Sequence, residues 1–293
     1  MSDLSAQTRD ICKLLDIRPA RSKGQNFLIN EKIYDDIIKA ADLQTNDYVL
    51  EVGPGLGFLT AKLAQKVQKV MAVELDDKLA DYLQVAVDSQ DVNNVEIINQ
   101  DILKFNWLEY WSREAKLRQG SLKGKSLSYK IVANMPYNIT SIFLRLFLSQ
   151  EPRPETLVLM LQKEVAERIV AEPPEMSILA ISIQYYANAE IVRIVKAGNF
   201  WPEPKVDSAI IKINLKSHKY DGEEDKKFFR LVRIGFSAKR KMLKNNLAAG
   251  LKVKPVQIDK AFQTVGLSSQ VRAEVLSLED WQKLFAALRL FVV

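Results

Sequence analysis

The sequence predicts an α/β fold in which a mostly parallel, seven-stranded sheet is followed by a small helical domain. Three observations predict it. Seven short runs rich in β-branched residues recur between Tyr48 and Leu215, helical patterns separate most of them, and no strand pattern recurs from Asp225 onward. Continuous apolar strands that alternate with helices are typical of a parallel sheet covered on both faces.

The strands are expected at 48–52, 69–73, 95–99, 130–134, 156–161, 190–195 and 208–215. We expect the last two strands to pair as a closing hairpin. A helix with one apolar face, EKIYDDIIKAAD, precedes the first strand. Residues 106–129 form an insertion that the sequence does not assign.

Two domains are expected, with a boundary in the stretch 205–222. Residues 1–212 form the sheet domain together with an N-terminal helical arm, and residues 213–293 form a basic helical domain. The second domain contains three amphipathic helical patterns, FFRLVRIGF, VQIDKAFQTVG and LEDWQKLFAALRLF.

The composition excludes several classes of protein. The 293 residues include one cysteine, Cys12, and one histidine, His218, which rules out an intramolecular disulfide framework and Cys/His zinc clusters. Serine or cysteine nucleophiles paired with histidine are disfavoured for the same reason. There is no signal-peptide pattern and no apolar run of the roughly 18 to 20 residues that cross a bilayer. We expect a cytoplasmic monomer without membrane contact.

The positive charge is concentrated in the last third of the chain. From Lys205 onward there are 18 lysines and arginines against nine acids, whereas residues 1–204 have a net charge of −3. Lys226 to Lys254 contains ten basic residues, no acid and three phenylalanines. A solvated helical face is one interpretation, and a nuclear-localisation signal at Lys239–Lys241 is another. The third is attraction of a polyanion such as nucleic acid.

A glycine-rich loop, Gly53-Pro54-Gly55-Leu56-Gly57, follows the first strand. Its spacing is G-x-G-x-G, unlike the G-x-G-x-x-G of dinucleotide-binding folds, and no Walker Gly-Lys-Ser/Thr follows. Pro54 has no N–H to donate, so the loop is a poor phosphate cradle. A ligand with an adenosine and no phosphate, S-adenosylmethionine, suits this spacing better. The alternative is an ordinary Gly-Pro turn at the end of a strand.

Acidic residues end the next two strands. Glu74 ends the second strand, where its carboxylate can accept both hydroxyls of a ribose. Asp101 follows the third strand, where it can accept the exocyclic amine of an adenine. Either acid alone is more often a helix N-cap or a surface charge. Because the carboxyl ends of parallel strands meet at one edge of a sheet, we expect both acids to share one crevice with the glycine loop.

The tetrapeptide Asn134-Met135-Pro136-Tyr137 ends the fourth strand. An exocyclic base amine is a poor nucleophile, because its lone pair is delocalised into the ring. Two oxygens, from the Asn134 amide and the carbonyl of Met135 or Pro136, can accept its N–H groups and stabilise the charge that develops as a methyl group arrives. Tyr137 offers a flat face on which an extruded base can stack. The alternative is an Asn-x-Pro turn with a buried tyrosine.

These segments resemble the KsgA/RsmA family of small-subunit rRNA adenine dimethyltransferases. The resemblance is carried, in family order, by GQNFL (24–28), EVGPGLGFLT (51–60), VELD (73–76), QDIL (100–103), NMPY (134–137), FWPEPKVDSA (200–209) and FSAKRKMLKNNL (236–247). It implies a Rossmann-like class I methyltransferase domain and a smaller helical domain. It also implies that S-adenosylmethionine is used to methylate N6 of two adjacent adenosines near the 3′ end of 16S rRNA during small-subunit maturation.

The resemblance further implies a set of site residues and no metal. The catalytic residues are Asn134, Met135, Pro136, Tyr137 and Phe200, the last covering the second face of the target base. The cofactor-binding residues are Gln25, Asn26, Leu28, Gly53, Gly55, Gly57, Glu74, Leu75, Asp101, Ile102 and Asn134. The residues that contact rRNA are Lys239, Arg240, Lys241 and Lys244.

The chain departs from the family pattern at two of these positions. Met135 replaces the commoner leucine, which changes little because a backbone carbonyl acts there. Lys239 stands where arginine is frequent, which keeps the charge and loses a bidentate phosphate contact. Two other functions remain open, a 23S rRNA adenine methyltransferase of the macrolide-resistance type and a non-catalytic RNA-binding factor. The extended basic C-terminal domain argues against the first, and the intact acids argue against the second.

Overall fold

The computed structural model describes residues 3–19, 25–117, 128–217 and 222–292. Gly24, His218 and residues 118–127 of the insertion lie outside these ranges. The chain forms two compact units, one of residues 1–166 and 189–215 and one of residues 167–188 and 216–293. Within the described ranges, no helix is long and apolar enough to cross a membrane.

The strands are β1 (Phe27–Leu28), β2 (Tyr48–Val52), β3 (Lys69–Glu74), β4 (Val95–Asn99), β5 (Lys130–Asn134), β6 (Thr156–Gln162), β7 (Ala187–Val195), β8 (Phe200–Trp201) and β9 (Ser208–Leu215). The first unit is built on a sheet with the strand order β4-β3-β2-β5-β6-β9-β7. Neighbouring strands from β4 to β6 are parallel, and β9 runs antiparallel to β6. The predicted mostly parallel, seven-stranded sheet is therefore confirmed, and β9 and β7 are adjacent in it.

The helices of the first unit are α1 (Leu4–Leu14), α2 (Glu31–Ala41), α3 (Phe58–Ala64), α4 (Asp77–Ser89), α5 (Trp107–Leu117) and α6 (Thr140–Ser149), and the division of the chain into units falls within α7 (Lys163–Ile169). Helices α2, α3 and α4 pack on the sheet. All five residues of β2 are buried, as expected for a parallel strand covered on both faces. The side chain of Asn30 caps α2 by accepting the N–H of Lys32, and Ile33 and Ile37 are buried in the core beneath it.

The described part of the insertion is α5, which packs through aromatic side chains. Trp107 is stacked on Tyr110 and Trp111, and its indole N–H donates to the Tyr129 hydroxyl over 2.7 Å. These large buried rings attach α5 to the sheet domain. The insertion is thus, in its described part, a packed helix of the first unit.

The described part of the second unit is built mainly of helices joined by short connections. It contains α8 (Ile178–Tyr186), α9 (Gly222–Gly235), α10 (Leu243–Leu251), α11 (Pro255–Val265) and α12 (Leu278–Leu288). Trp281, Phe228 and Phe262 are almost fully buried at its centre, and Ala180 and Ile181 of α8 belong to the same cluster. The boundaries expected from the sequence, 1–212 and 213–293, do not include this contribution from residues 167–188. The apolar face of α8 is buried by helices that lie far away along the chain.

Candidate active site

The crevice of the first unit lies where the order of its strands reverses. From β2 the chain continues outward to β3 and β4, and it then returns to β5 on the opposite side of β2. The loops that leave β2 and β5 therefore diverge, and open α/β sheets bind ligands at such a point. The glycine loop directly follows β2, and the Asn134–Tyr137 segment begins with the last residue of β5.

The glycine loop has a backbone that favours glycine at three positions. Gly53, Gly55 and Gly57 have φ angles of 64°, 58° and 81°, in the left-handed region that other residues rarely adopt. A Cβ atom on Gly55 would lie 3.4 Å from the ring of Phe27, and one on Gly53 would lie 3.7 Å from Pro136. The glycines are thus favoured by the backbone conformation, since a Cβ atom on Gly53 or Gly55 would make only ordinary van der Waals contact.

A cavity of about 320 Å³ opens beside this loop. It is lined by thirteen of the predicted site residues, Gln25, Asn26, Leu28, Gly53, Gly55, Glu74, Leu75, Asp101, Ile102, Asn134, Met135, Pro136 and Tyr137. Gly57 does not line it; this residue ends the loop as the N-cap of α3. Phe200 does not line it either, because its side chain is 2% exposed and packs in the core. The predicted stacking role of Phe200 stays a prediction.

The charge of the cavity decides which ligands suit it. Four carboxyl groups line it, from Glu51, Glu74, Asp76 and Asp101, and its described lining contains no lysine, arginine or histidine. Such a wall repels the phosphates of a nucleotide and attracts a cationic ligand. Glu51 is the most buried of the four, and burial raises its pKa to about 8, so it carries little of this charge at neutral pH. The residues present therefore fit a positively charged ligand that lacks phosphate.

The Glu74 carboxyl group is held by backbone N–H groups of the glycine loop and of the segment that follows β3. Its two oxygens accept the N–H groups of Gly55, over 3.1 Å, and of Asp76, over 3.0 Å. Burial nevertheless raises the pKa of the Glu74 carboxyl above its usual value, against the lowering effect of these hydrogen bonds. A carboxylate fixed at the end of β3 in this way can accept further hydrogen bonds from hydroxyl groups of a ligand.

Asp101 lies beyond β4 and is less enclosed than Glu74. One of its oxygens, Oδ1, accepts the N–H of Leu103 over 3.0 Å. The other, Oδ2, lies 3.9 Å from the ammonium group of Lys104, whose side chain is largely exposed. The first contact orients the carboxylate, and the second is a weak surface ion pair.

The Asn134–Tyr137 segment presents oriented acceptors at the cavity. The Asn134 amide nitrogen donates to the Asn26 carbonyl at 3.5 Å, a long contact that orients the amide group. The Pro136 carbonyl accepts the N–H of Ile139, over 3.3 Å, and the hydroxyl of Thr140, over 3.4 Å. Because this carbonyl is already engaged at the start of α6, the Met135 carbonyl is the better second acceptor.

Comparison with known proteins identifies the family. The profile of the ribosomal RNA adenine dimethylase family matches residues 18–289. This chain belongs to that family. The match covers both compact units and every segment that carried the resemblance in the sequence.

Relatives and solved structures agree with this family assignment. A protein of Dehalococcoides mccartyi named ribosomal RNA small subunit methyltransferase A is 40% identical over 96% of this chain and 92% of its own length. The crystal structure of a dimethyladenosine transferase from Plasmodium falciparum superimposes with a TM-score of 0.73 at 26% identity, covering 90% of this chain and 98% of the other. The 23S rRNA methyltransferase ErmE gives 0.70 at 26% identity, covering 90% and 100%. The fold alone therefore does not separate these two activities within the family.

The basic residues predicted to contact rRNA lie in the second unit of this dimethylase-family chain. Lys239, Arg240 and Lys241 are exposed in the turn between α9 and α10. The side chain of Asn246 donates to the carbonyls of Gly235, over 2.7 Å, and of Ala238, over 3.2 Å. These two hydrogen bonds hold the turn in one conformation. The three charged side chains therefore extend from a backbone that is held in place.

Lys244 differs from the three basic residues before it. It is partly buried, and its ammonium group lies 3.5 Å from a carboxylate oxygen of Asp259. Part of its charge is thus balanced within the second unit. Its predicted role in binding rRNA stays a prediction.

Glu51 is one of the cavity residues that the sequence did not lead us to select, although it begins the EVGPGLG motif. Burial raises its pKa to about 8, and the charge of Glu74 adds to this rise. Alternation of residue types cannot distinguish this acid from an exposed one. Its position in an otherwise apolar stretch, YVLEV, is the signal that points to a buried carboxyl group.

A Glu51→Gln variant should lose part of the pH dependence of stability. Between the unshifted pKa of 4.5 and the folded-state pKa of about 8, the folded wild type binds more protons than the unfolded chain. Its free energy of unfolding therefore falls as pH rises, by up to about 1.4 kcal/mol per pH unit from this group. Denaturant unfolding from pH 4.5 to 8 measures the difference between the proteins. The exposed Glu190 provides the control Glu190→Gln; an identical slope for wild type and Glu51→Gln contradicts the prediction.

Proposed function

We propose that this chain transfers methyl groups from S-adenosylmethionine to N6 of two adjacent adenosines near the 3′ end of 16S rRNA, dimethylating each. The observation that carries the proposal is an oriented amide, that of Asn134, beside an anionic cavity without a lysine, arginine or histidine in its described lining. Membership of the rRNA adenine dimethylase family supports the reaction, and the small-subunit relative supports the choice of 16S rRNA.

The cavity residues suit S-adenosylmethionine group by group. The cofactor carries a sulfonium and an ammonium group and no phosphate, which matches an anionic wall that contains Glu74, Asp76 and Asp101. Glu74 would hold the ribose hydroxyls, and Asp101 would hold the adenine amine between Leu75 and Ile102. The methionine side would lie against Gln25, Asn26 and Leu28, and the glycine loop, Gly53 to Gly57, would pack against the cofactor.

The reaction needs orientation and charge stabilisation from the protein. When bound, S-adenosylmethionine supplies a methyl group activated by its sulfonium. The Asn134 side-chain oxygen and the Met135 carbonyl accept the N–H groups of the adenine amine, two in the first transfer and one in the second, which frees its lone pair and stabilises the positive charge that develops there. Each transfer forms an N–CH3 bond as the S–CH3 bond breaks, leaves a neutral thioether, and is completed when the nitrogen releases one proton to water. Pro136 stiffens the turn that carries these acceptors. The ring of Tyr137 stacks on the extruded base.

The second unit would supply affinity for rRNA. Lys239, Arg240 and Lys241 are placed to contact phosphates, with a smaller contribution from the paired Lys244. That the chain acts as a monomer stays a prediction.

The structural similarity to ErmE makes 23S rRNA the competing substrate. Ribosomal subunits from cells that lack these methylations can be treated with the enzyme and radiolabelled S-adenosylmethionine. We expect label on two adjacent adenosines of 16S rRNA in the small subunit, located by mass mapping of rRNA fragments. Label confined to 23S rRNA overturns the proposed substrate, and no label on either subunit overturns the proposed reaction.

A further inference from the structure

Tyr137 has a hydrogen-bond partner that its role in the cavity does not explain. Its hydroxyl shares a hydrogen bond of 2.8 Å with the Ser208 hydroxyl. Ser208 is completely buried, whereas Tyr137 is only partly buried and lines the cavity. Burial raises the pKa of the Tyr137 hydroxyl, so this group keeps its proton at neutral pH. It is therefore suited to anchoring the ring and unsuited to acting as a base.

The antiparallel strand β9 brings Ser208 to this position. Ser208 begins β9 and lies opposite Gln162, the last residue of β6. Since β9 runs against the parallel strands, its first residue lies at the edge of the sheet where those strands end. Asn134, at the end of β5, lies opposite Met160 of β6 at the same edge. Tyr137 reaches across the end of β6 to Ser208.

The backbone around Ser208 is fixed on both sides. The preceding residue, Asp207, accepts the N–H of Ala197 over 3.1 Å and the ammonium of Lys196 over 2.9 Å through its side chain. The Asp207 carbonyl accepts the N–H of Lys163 over 3.0 Å. Ser208 itself belongs to a strand inside the sheet. Its hydroxyl is thus a rigid anchor, with little freedom to follow movements of the tyrosine.

We propose that Ser208 is a positioning residue that holds the ring of Tyr137 in the orientation in which it stacks on the target adenine. The inference rests on the proposed function, in which Tyr137 forms one face of the base site. A tyrosine ring attached only at its Cβ atom swings about the Cα–Cβ bond, and a hydrogen bond at the far end of the ring stops this swing because it fixes the position of the hydroxyl oxygen. The base then meets a ring that is already in place, and a larger fraction of encounters is productive.

Two single variants and their combination test the proposal. Tyr137→Phe keeps the ring and removes its anchor, and Ser208→Ala removes the other half of the hydrogen bond. We expect each to lower kcat for methylation of the small subunit about 3- to 10-fold, with Kd for S-adenosylmethionine and KM for the subunit unchanged. The double variant should be no slower than the slower single variant, because both changes remove the same hydrogen bond.

The control separates positioning from a general loss of stability. Tyr129 is also a buried tyrosine with a hydrogen-bonded hydroxyl, which donates to the Pro152 carbonyl over 2.8 Å, and it does not line the cavity. Tyr129→Phe should lower the melting temperature and leave kcat unchanged. If kcat follows the melting temperature across all these variants, the role of Ser208 is structural and the proposal is overturned.

The remaining outcomes are equally decisive. Unchanged kcat in Ser208→Ala, or multiplied losses in the double variant, overturns the positioning role. If Ser208→Ala does not fold, the test rests on Tyr137→Phe alone. A wild-type kcat for Tyr137→Phe then overturns the proposal. Tyr137→Ala separates this proposal from the proposed function. If Tyr137→Ala methylates at the wild-type rate, Tyr137 is not part of the base site. If Tyr137→Ala loses methylation while Ser208→Ala keeps the wild-type kcat, only the positioning role of Ser208 is overturned.

Discussion

Replacing Asn134 with alanine is expected to reduce methyl transfer at least about 100- to 1,000-fold, the range found when one preorganised hydrogen-bonding group is removed from an enzyme site. Binding of the ribosomal subunit should remain nearly unchanged. The loss is large because the amide oxygen acts on the nitrogen that reacts, at the moment when charge develops on it. Alanine leaves the Met135 carbonyl as a single acceptor for two N–H groups.

The geometry of Asn134 explains why its amide group does more than line the cavity. Its NH₂ group donates to the Asn26 carbonyl, so the opposite side of the amide presents the oxygen. The residue is partly buried at the end of β5, next to buried Met135. A group that is oriented before the substrate arrives needs no reorganisation during the reaction, which is the source of its catalytic effect.

Single-turnover methylation of the small subunit, at saturating enzyme and S-adenosylmethionine, measures this effect. Calorimetry of cofactor binding shows separately whether the cavity stays intact, and we expect Kd to change only a few-fold. Asn138→Ala is a matched control, because Asn138 also lines the cavity but is exposed. Equal single-turnover rates for wild type and Asn134→Ala would refute the two-acceptor mechanism.

Reversing the charges of Lys239, Arg240 and Lys241 to glutamate should weaken rRNA binding by about 100-fold or more at low salt and flatten its salt dependence. All three side chains are exposed in one turn. Each lost phosphate contact is expected to reduce the slope of log K against log salt by about 0.7 to 0.9. Cofactor binding should be unaffected, since these residues do not line the cavity.

The control for this variant carries the same change in net charge elsewhere on the second unit. Lys260, Arg272 and Lys283 are also exposed and lie outside the run of basic residues. Their reversal to glutamate takes the net charge from +6 to zero, as does reversal of the turn. Filter binding at several salt concentrations compares the two variants. Equal losses in both would mean that net charge, and not the turn between α9 and α10, sets the affinity.

Much of the first unit follows from patterns among neighbouring residues. Each apolar run became a strand close to the expected bounds, and Gly53 and Gly55 have the positive φ angles that a glycine loop implies. Glu74 and Asp101 line one cavity because successive parallel strands end at the same edge. The family assignment also came from short segments in order, and the match over residues 18–289 confirms it.

Other features depend on residues that are distant in the sequence. The strands β1 and β8 have two residues each and show no periodicity, yet they pair Phe27 with Trp201 and bury Phe200 in the core. Residues 167–188 join the second unit through contacts of α8 with later helices. The partial neutralisation of Lys244 likewise depends on Asp259, which is carried by the next helix.

The sequence by itself determined the sheet, the glycine loop, the two acids at the strand ends and the Asn134–Tyr137 segment, because periodicity and strand ends are local properties of a chain. The tertiary structure decided which of these groups line the cavity, that Glu51 is a buried carboxyl and that Ser208 bonds to Tyr137. The physical reason is that these features follow from the antiparallel placement of β9 and from the burial of the side chains around β2. Both depend on which distant segments pack together; the apolar run around Glu51 points to its burial, but no local pattern contains the pairing of Ser208 with Tyr137.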